Sequence, residues 1–89
     1  MTDKAITVVV ADDEIVIRNL VLSVLRDSGF NVVGVAADGA EAVSLCGQLK
    51  PDVLLLDVYM PGISGVKTLK ILNETDYQPN VVMLTSEKQ

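Results

Sequence analysis

The chain has 89 residues, nearly half of them hydrophobic, and a formal charge of −5 with one cysteine and no histidine. That length suits a single domain and that apolar share excludes disorder. The acidic balance argues against direct nucleic-acid binding, which needs clustered Lys and Arg. The same counts exclude a disulfide framework, a Cys/His zinc site and any histidine-based triad.

Phe30, Tyr59 and Tyr77 are the only aromatic residues, so the core must be aliphatic, with Cys46 a small core residue. There is no signal-peptide pattern and no membrane-length apolar run. The expected compartment is a reducing cytoplasm.

In chain order, the first apolar run is "ITVVVA" (Ile6 to Ala11), continuously hydrophobic and followed by "DDE". Such a run suits a strand covered on both faces, as in a parallel sheet. Ile17, Leu20, Val21, Val24 and Leu25 then follow the spacing of one helical face, with Leu22 off the stripe as a candidate contact residue. Gly29 stands where a left-handed terminus would end that helix. "NVVGVA" (Asn31 to Ala36) predicts a second strand. Asp38 and Glu41 make a D-x-x-E entry signal for a helix carrying Ala42, Val43, Cys46 and Leu49, which Pro51 stops.

"VLLL" (Val53 to Leu56) predicts a third strand, running straight into Asp57. Pro61 and Gly62 suit a tight turn. Ser64 suits the N-cap of a third helix with Val66, Leu69 and Leu72. "NVVMLT" (Asn80 to Thr85) predicts a fourth strand, with Met60 and Met83 as packing residues. The alternation β-α-β-α-β-α-β predicts an open α/β sheet with right-handed crossovers.

In open parallel sheets, ligands bind beyond the carboxyl ends of the strands. Asp12 and Asp13 follow the first strand and Asp57 the third, so neighbouring strands would bring all three carboxylates together. Like charges so crowded repel, and a hard divalent cation removes the conflict. Magnesium is the natural candidate, because it takes oxygen ligands and keeps positions open for water and phosphate. Taken singly, Asp12, Asp13 and Glu14 also suit a helix N-terminus, and Asp57 a turn. Taken together, with Thr85 and Ser86 closing the fourth strand, they point to one site.

The sequence resembles the receiver domain of bacterial two-component response regulators. "VVVADDE" resembles the family's first strand and acidic pair, "PDVLLLDVYMPGISG" its phospho-acceptor strand and loop, and "VVMLTS" its fourth strand with the switch hydroxyl. The resemblance implies a flavodoxin-like, three-layer fold with strand order 2-1-3-4. It implies that Asp57 takes a phosphoryl group from the phosphohistidine of a sensor histidine kinase or phosphotransfer protein. It also implies that Asp12, Asp13, Asp57 and the backbone carbonyl of Tyr59 hold Mg2+, and that Thr85 contacts the phosphoryl group and switches. The chemistry would be self-phosphotransfer and autodephosphorylation, not enzymatic turnover. Tyr59 itself reads most simply as a half-buried ring at the rim.

The chain departs from the family after its fourth strand. A fourth covering helix, a fifth strand with its phosphoryl-contacting lysine and aromatic partner, and a fifth helix have no counterpart in residues 1–89. Lys88 reads as a solvated tail residue. The expectation is a single partial receiver domain, impaired in switching and self-associating through its exposed fourth strand. An interaction module that is never phosphorylated is the competing class. An aspartate-nucleophile phosphatase needs an acid two residues after the nucleophile, where Tyr59 stands. A nucleotide site needs a glycine-rich turn where "ADDE" stands.

Overall fold

The computed structural model describes residues 5–77 and 79–84. Seven elements alternate as expected: β1 (Thr7–Ala11), α1 (Ile15–Asp27), β2 (Asn31–Ala36), α2 (Gly39–Leu49), β3 (Val53–Asp57), α3 (Gly65–Asn73) and β4 (Asn80–Leu84). All pairings are parallel, and the sheet order is β2-β1-β3-β4. Asp57 is the last residue of β3 and pairs with Leu84, so it belongs to the strand and not to the turn beyond it.

The strands separate their side chains by parity, as a pleat requires. Val9, Ala11, Leu54 and Leu56 face one way and pack with Ala36, Ala42, Cys46 and Leu72, beneath α2 and α3. Val8 and Val10 face the other way and pack with Leu22 of α1, flanked by the half-buried Val21, Leu25, Val53 and Leu55. The result is the three-layer arrangement that the resemblance implies.

The helix boundaries follow their local chemistry. Asp38 caps α2 by accepting the Glu41 N–H at 2.8 Å, while Glu41 Oε1 accepts the Ala37 N–H at 2.7 Å. Ser64 caps α3 through the Lys67 N–H at 3.1 Å. Gly29 leaves α1 with φ +88°, the left-handed geometry expected there.

The face of α1 agrees with the sequence expectation at Val21 and Leu25, which pack against the core, and differs elsewhere. Leu22 points inward at 8% exposure, whereas Leu20 is 61% exposed, and Ile17 and Val24 also lie outward. Apolar residues occur almost all round this helix, and the stripe that wins is the one aimed at Val8 and Val10. In α3, Val66 likewise faces out, while Thr68 and Leu72 face in.

The amino ends of β1 and β3 are tied side by side. The Asp52 carboxylate accepts the Thr7 N–H at 2.9 Å and the Thr7 hydroxyl at 3.1 Å, and the Thr7 hydroxyl accepts the Asp52 N–H at 2.9 Å. Nearby, burial pushes the Cys46 thiol up to about 11. It also raises the Tyr77 phenol, with smaller contributions from Cys46 and Asp52, and the buried Tyr77 hydroxyl has no hydrogen-bond partner among the described residues.

Candidate functional site

Asp12 and Asp13 leave β1 just before α1, and Asp57 ends β3 beside them. Because Ala11 pairs with Leu56, the next residue of each strand, Asp12 and Asp57, emerges at the same height. One carboxylate oxygen from each of Asp12, Asp13 and Asp57 lies within 4.8 Å of the others. Asp12 is 4% and Asp57 1% exposed, with Asp13 half-buried. The three residues singled out from the sequence therefore share one pocket at the carboxyl edge of the sheet.

The carboxylates of Asp12 and Asp57 are oriented locally. Asp12 Oδ1 accepts the Glu14 N–H at 2.9 Å, closing the turn into α1. The Asp12 carbonyl accepts from Arg18 Nη1 at 3.2 Å, and the Asp12 N–H donates to the Ala36 carbonyl at 3.0 Å. Asp57 Oδ1 accepts the Tyr59 N–H at 3.0 Å. Asp12 thus closes the turn ahead of α1 and joins the cluster, while α1 itself carries no side-chain cap.

Crowding three carboxylates, two of them buried, is costly unless positive charge compensates. An all-oxygen donor set with little exposure fits a hard divalent cation such as Mg2+ better than Zn2+ or a soft metal.

Tyr59 is 55% exposed, so its ring stands further into solvent than a half-buried rim residue, and the site uses its backbone. Thr85 and Lys88 lie outside the described residues. Leu84 closes β4, its carbonyl accepting the Val58 N–H at 3.0 Å. Sequence reasoning did not single out Arg18, whose signal is a cation one helical turn beyond the acidic pair. It also passed over Gly65, which directly follows the Ser64 cap and packs on the Asp57 backbone.

Comparison with known proteins agrees with this geometry. The sequence profile of the response regulator receiver domain matches residues 8–89. A protein-glutamate methylesterase/protein-glutamine glutaminase 5 of Myxococcus xanthus is 42% identical over 82 residues, covering 91% of this chain and 24% of that protein. The signal receiver domain of a putative response regulator NarL from Mycobacterium tuberculosis superposes with a TM-score of 0.90 at 33% identity, covering 98% of this chain and 71% of that one. A Borrelia burgdorferi complex of CheX and CheY with beryllium fluoride and magnesium gives a TM-score of 0.85 at 29% identity, covering 90% and 61%. The chain belongs to the response regulator receiver domain family of two-component signalling. It spans about a quarter of the length of the methylesterase it matches. Among the described residues, no helix is long and apolar enough to cross a membrane.

Proposed function

We propose that this chain is a phospho-acceptor in a two-component phosphorelay, a stoichiometric switch and not a turnover enzyme. The observation that carries this reading is the convergence of Asp12, Asp13 and Asp57 oxygens within 4.8 Å at the ends of adjacent strands. An Asp57 oxygen attacks the phosphorus of a phosphohistidine on a sensor histidine kinase or phosphotransfer protein. The P–N bond breaks, the imidazole nitrogen leaves with its electron pair and takes up a proton, and an aspartyl phosphate forms, later hydrolysed by water.

The protein's part is positioning. β3 holds Asp57 at the sheet edge, and the Tyr59 N–H on Oδ1 fixes the carboxylate plane. Asp12, Asp13, the Asp57 carboxylate and the Tyr59 carbonyl would hold Mg2+, which supplies charge neutralisation at the transferring oxygens. The magnesium and the CheX partner of the Borrelia complex support the cation and a protein partner for this chain. Thr85 is assigned the phosphoryl contact and the switch. The cytoplasm is the compartment this reading requires, and the free, buried Cys46 is compatible with it.

Intact mass after incubation with a small phosphodonor tests the reading. One magnesium-dependent phosphoryl adduct, absent from Asp57→Asn, is expected. A folded chain that gains no adduct would sink phosphotransfer.

A second role, self-association, rests on a separate observation. Among the described residues β4 pairs only with β3, and its run Asn80–Leu84 holds no charge and no proline, the features that usually protect an edge strand. Sedimentation velocity over a concentration series should show a growing dimer. A monomer throughout would end this proposal.

A further inference from the structure

The loop after Asp57 folds back so tightly that the first turn of α3 lands on the backbone of Asp57. Gly65 opens α3 and is buried, and its N–H donates to the Val58 carbonyl at 3.0 Å. A Cβ on Gly65 would overlap the Asp57 carbonyl oxygen and come within 2.9 Å of Val58 Cα and 3.1 Å of the Asp57 carbonyl carbon. Every one of those atoms is backbone, so no side chain can swing aside to make room.

Nor can α3 easily retreat. Thr68, fully buried, donates its hydroxyl to the Ser64 carbonyl at 2.8 Å. On its other side Thr68 meets α2 at Gly39, where a Cβ would overlap Thr68 Oγ1 and lie 2.9 Å from the Ile63 carbonyl oxygen. The first turn of α3 is therefore clamped between α2 and the Asp57–Val58 peptide. That peptide continues to the Tyr59 N–H, which orients the Asp57 carboxylate at 3.0 Å.

We propose that Gly65 is a positioning residue for Asp57: lacking a side chain, it lets α3 brace the Asp57–Val58 peptide, and the Thr68–Gly39 contact supplies the back-pressure. A methyl at position 65 has to displace that peptide, carrying the Asp57 oxygens out of register with Asp12 and Asp13. The consequence for the cation rests on the phospho-acceptor reading; the backbone bracing does not.

The test compares Gly65→Ala with Leu72→Ala, a core variant of the same helix remote from the carboxylates. Two readouts are taken: the Tyr59 amide chemical shift in the metal-free protein, and Mg2+ affinity by calorimetry. Gly65→Ala should move the Tyr59 amide and weaken Mg2+ by about tenfold, the scale seen when groups supporting metal ligands are lost. Leu72→Ala should leave both near the parent values. If Gly65→Ala does not fold, Thr68→Ala, which relaxes the clamp, should shift the same amide and weaken Mg2+ severalfold.

An unmoved Tyr59 amide in the folded variant, or an equal shift in Leu72→Ala, overturns the proposal. A parent chain that binds no Mg2+ overturns the phospho-acceptor reading instead, and the amide comparison still decides the bracing.

Discussion

The two faces of the sheet are built differently. Beneath α2 and α3 lies a contiguous core of Val9, Ala11, Ala36, Ala42, Cys46, Leu54, Leu56 and Leu72, all buried. Beneath α1, among the described residues, the buried cluster is Val8, Val10 and Leu22, and α1 turns Ile15, Val16, Leu20 and Val24 outward. Both helices on the deep face have side-chain caps, whereas α1 has none. Stability is thus concentrated on the side that braces Asp57, and the α1 side is the more lightly held.

The sharpest way to break this comparison is to cut into each face in turn. Leu54→Ala should cost about 3–5 kcal/mol, and Leu22→Ala about 2 kcal/mol, since a partly covered site collapses or hydrates more easily. Urea unfolding measures both. Equal losses would mean that the α1 face is as tightly packed as the other.

Alkaline pH probes the deep face through Cys46. Its thiol is raised from 9.0 to about 11 in the folded chain. The unfolded chain therefore loses this proton first, and stability present below pH 9 is lost as pH rises towards 11, by roughly 2–3 kcal/mol at most. Cys46→Ala should flatten part of that decline, Tyr77 supplying another part through its own raised phenol. An unchanged pH slope in the variant would count against a deeply buried thiol.

Removing a cap should have a smaller effect. Asp38→Ala or Ser64→Ala should each cost about 1 kcal/mol in thermal or urea unfolding. Smallest of all, Val16→Ser on the outer face of α1 should stay within about 0.5 kcal/mol of the parent. A larger loss there would show that the outer face is covered in solution.

These contrasts also explain what could be read without coordinates. The strands were legible because Val, Ile and Leu runs end at charged or turn residues. Asp38, Glu41, Ser64 and Gly29 were legible because each satisfies a backbone requirement within four residues of itself. The carboxylate cluster was legible because two apolar runs both end in aspartate. The inward face of α1 was legible only in part: Val21 and Leu25 pack inward as expected, but Ile17, Leu20 and Val24 compete with Leu22, and only the position of Val8 and Val10 chooses between them. Gly65 and Thr68 were missed for a related reason. Their importance lies in an approach between segments, and only the local pair Ser64 and Thr68, one helical turn apart, hints at it.

The tie at the base of β1 and β3 has a consequence for insertions and deletions. Thr7 meets Asp52 at a separation of 45 residues, and the pairs from Val8–Val53 to Ala11–Leu56 keep that separation without a bulge. Asp12 and Asp57 stand at the same offset, so the spacing of the two carboxylates is copied, rung by rung, from a polar clasp at the far end of the ladder. One residue added within either strand would slide its carboxylate by about 3.3 Å and send it to the opposite side of the sheet. The length of these two strands is thus a ruler for the site. Lengthening the loops leaves that ruler intact.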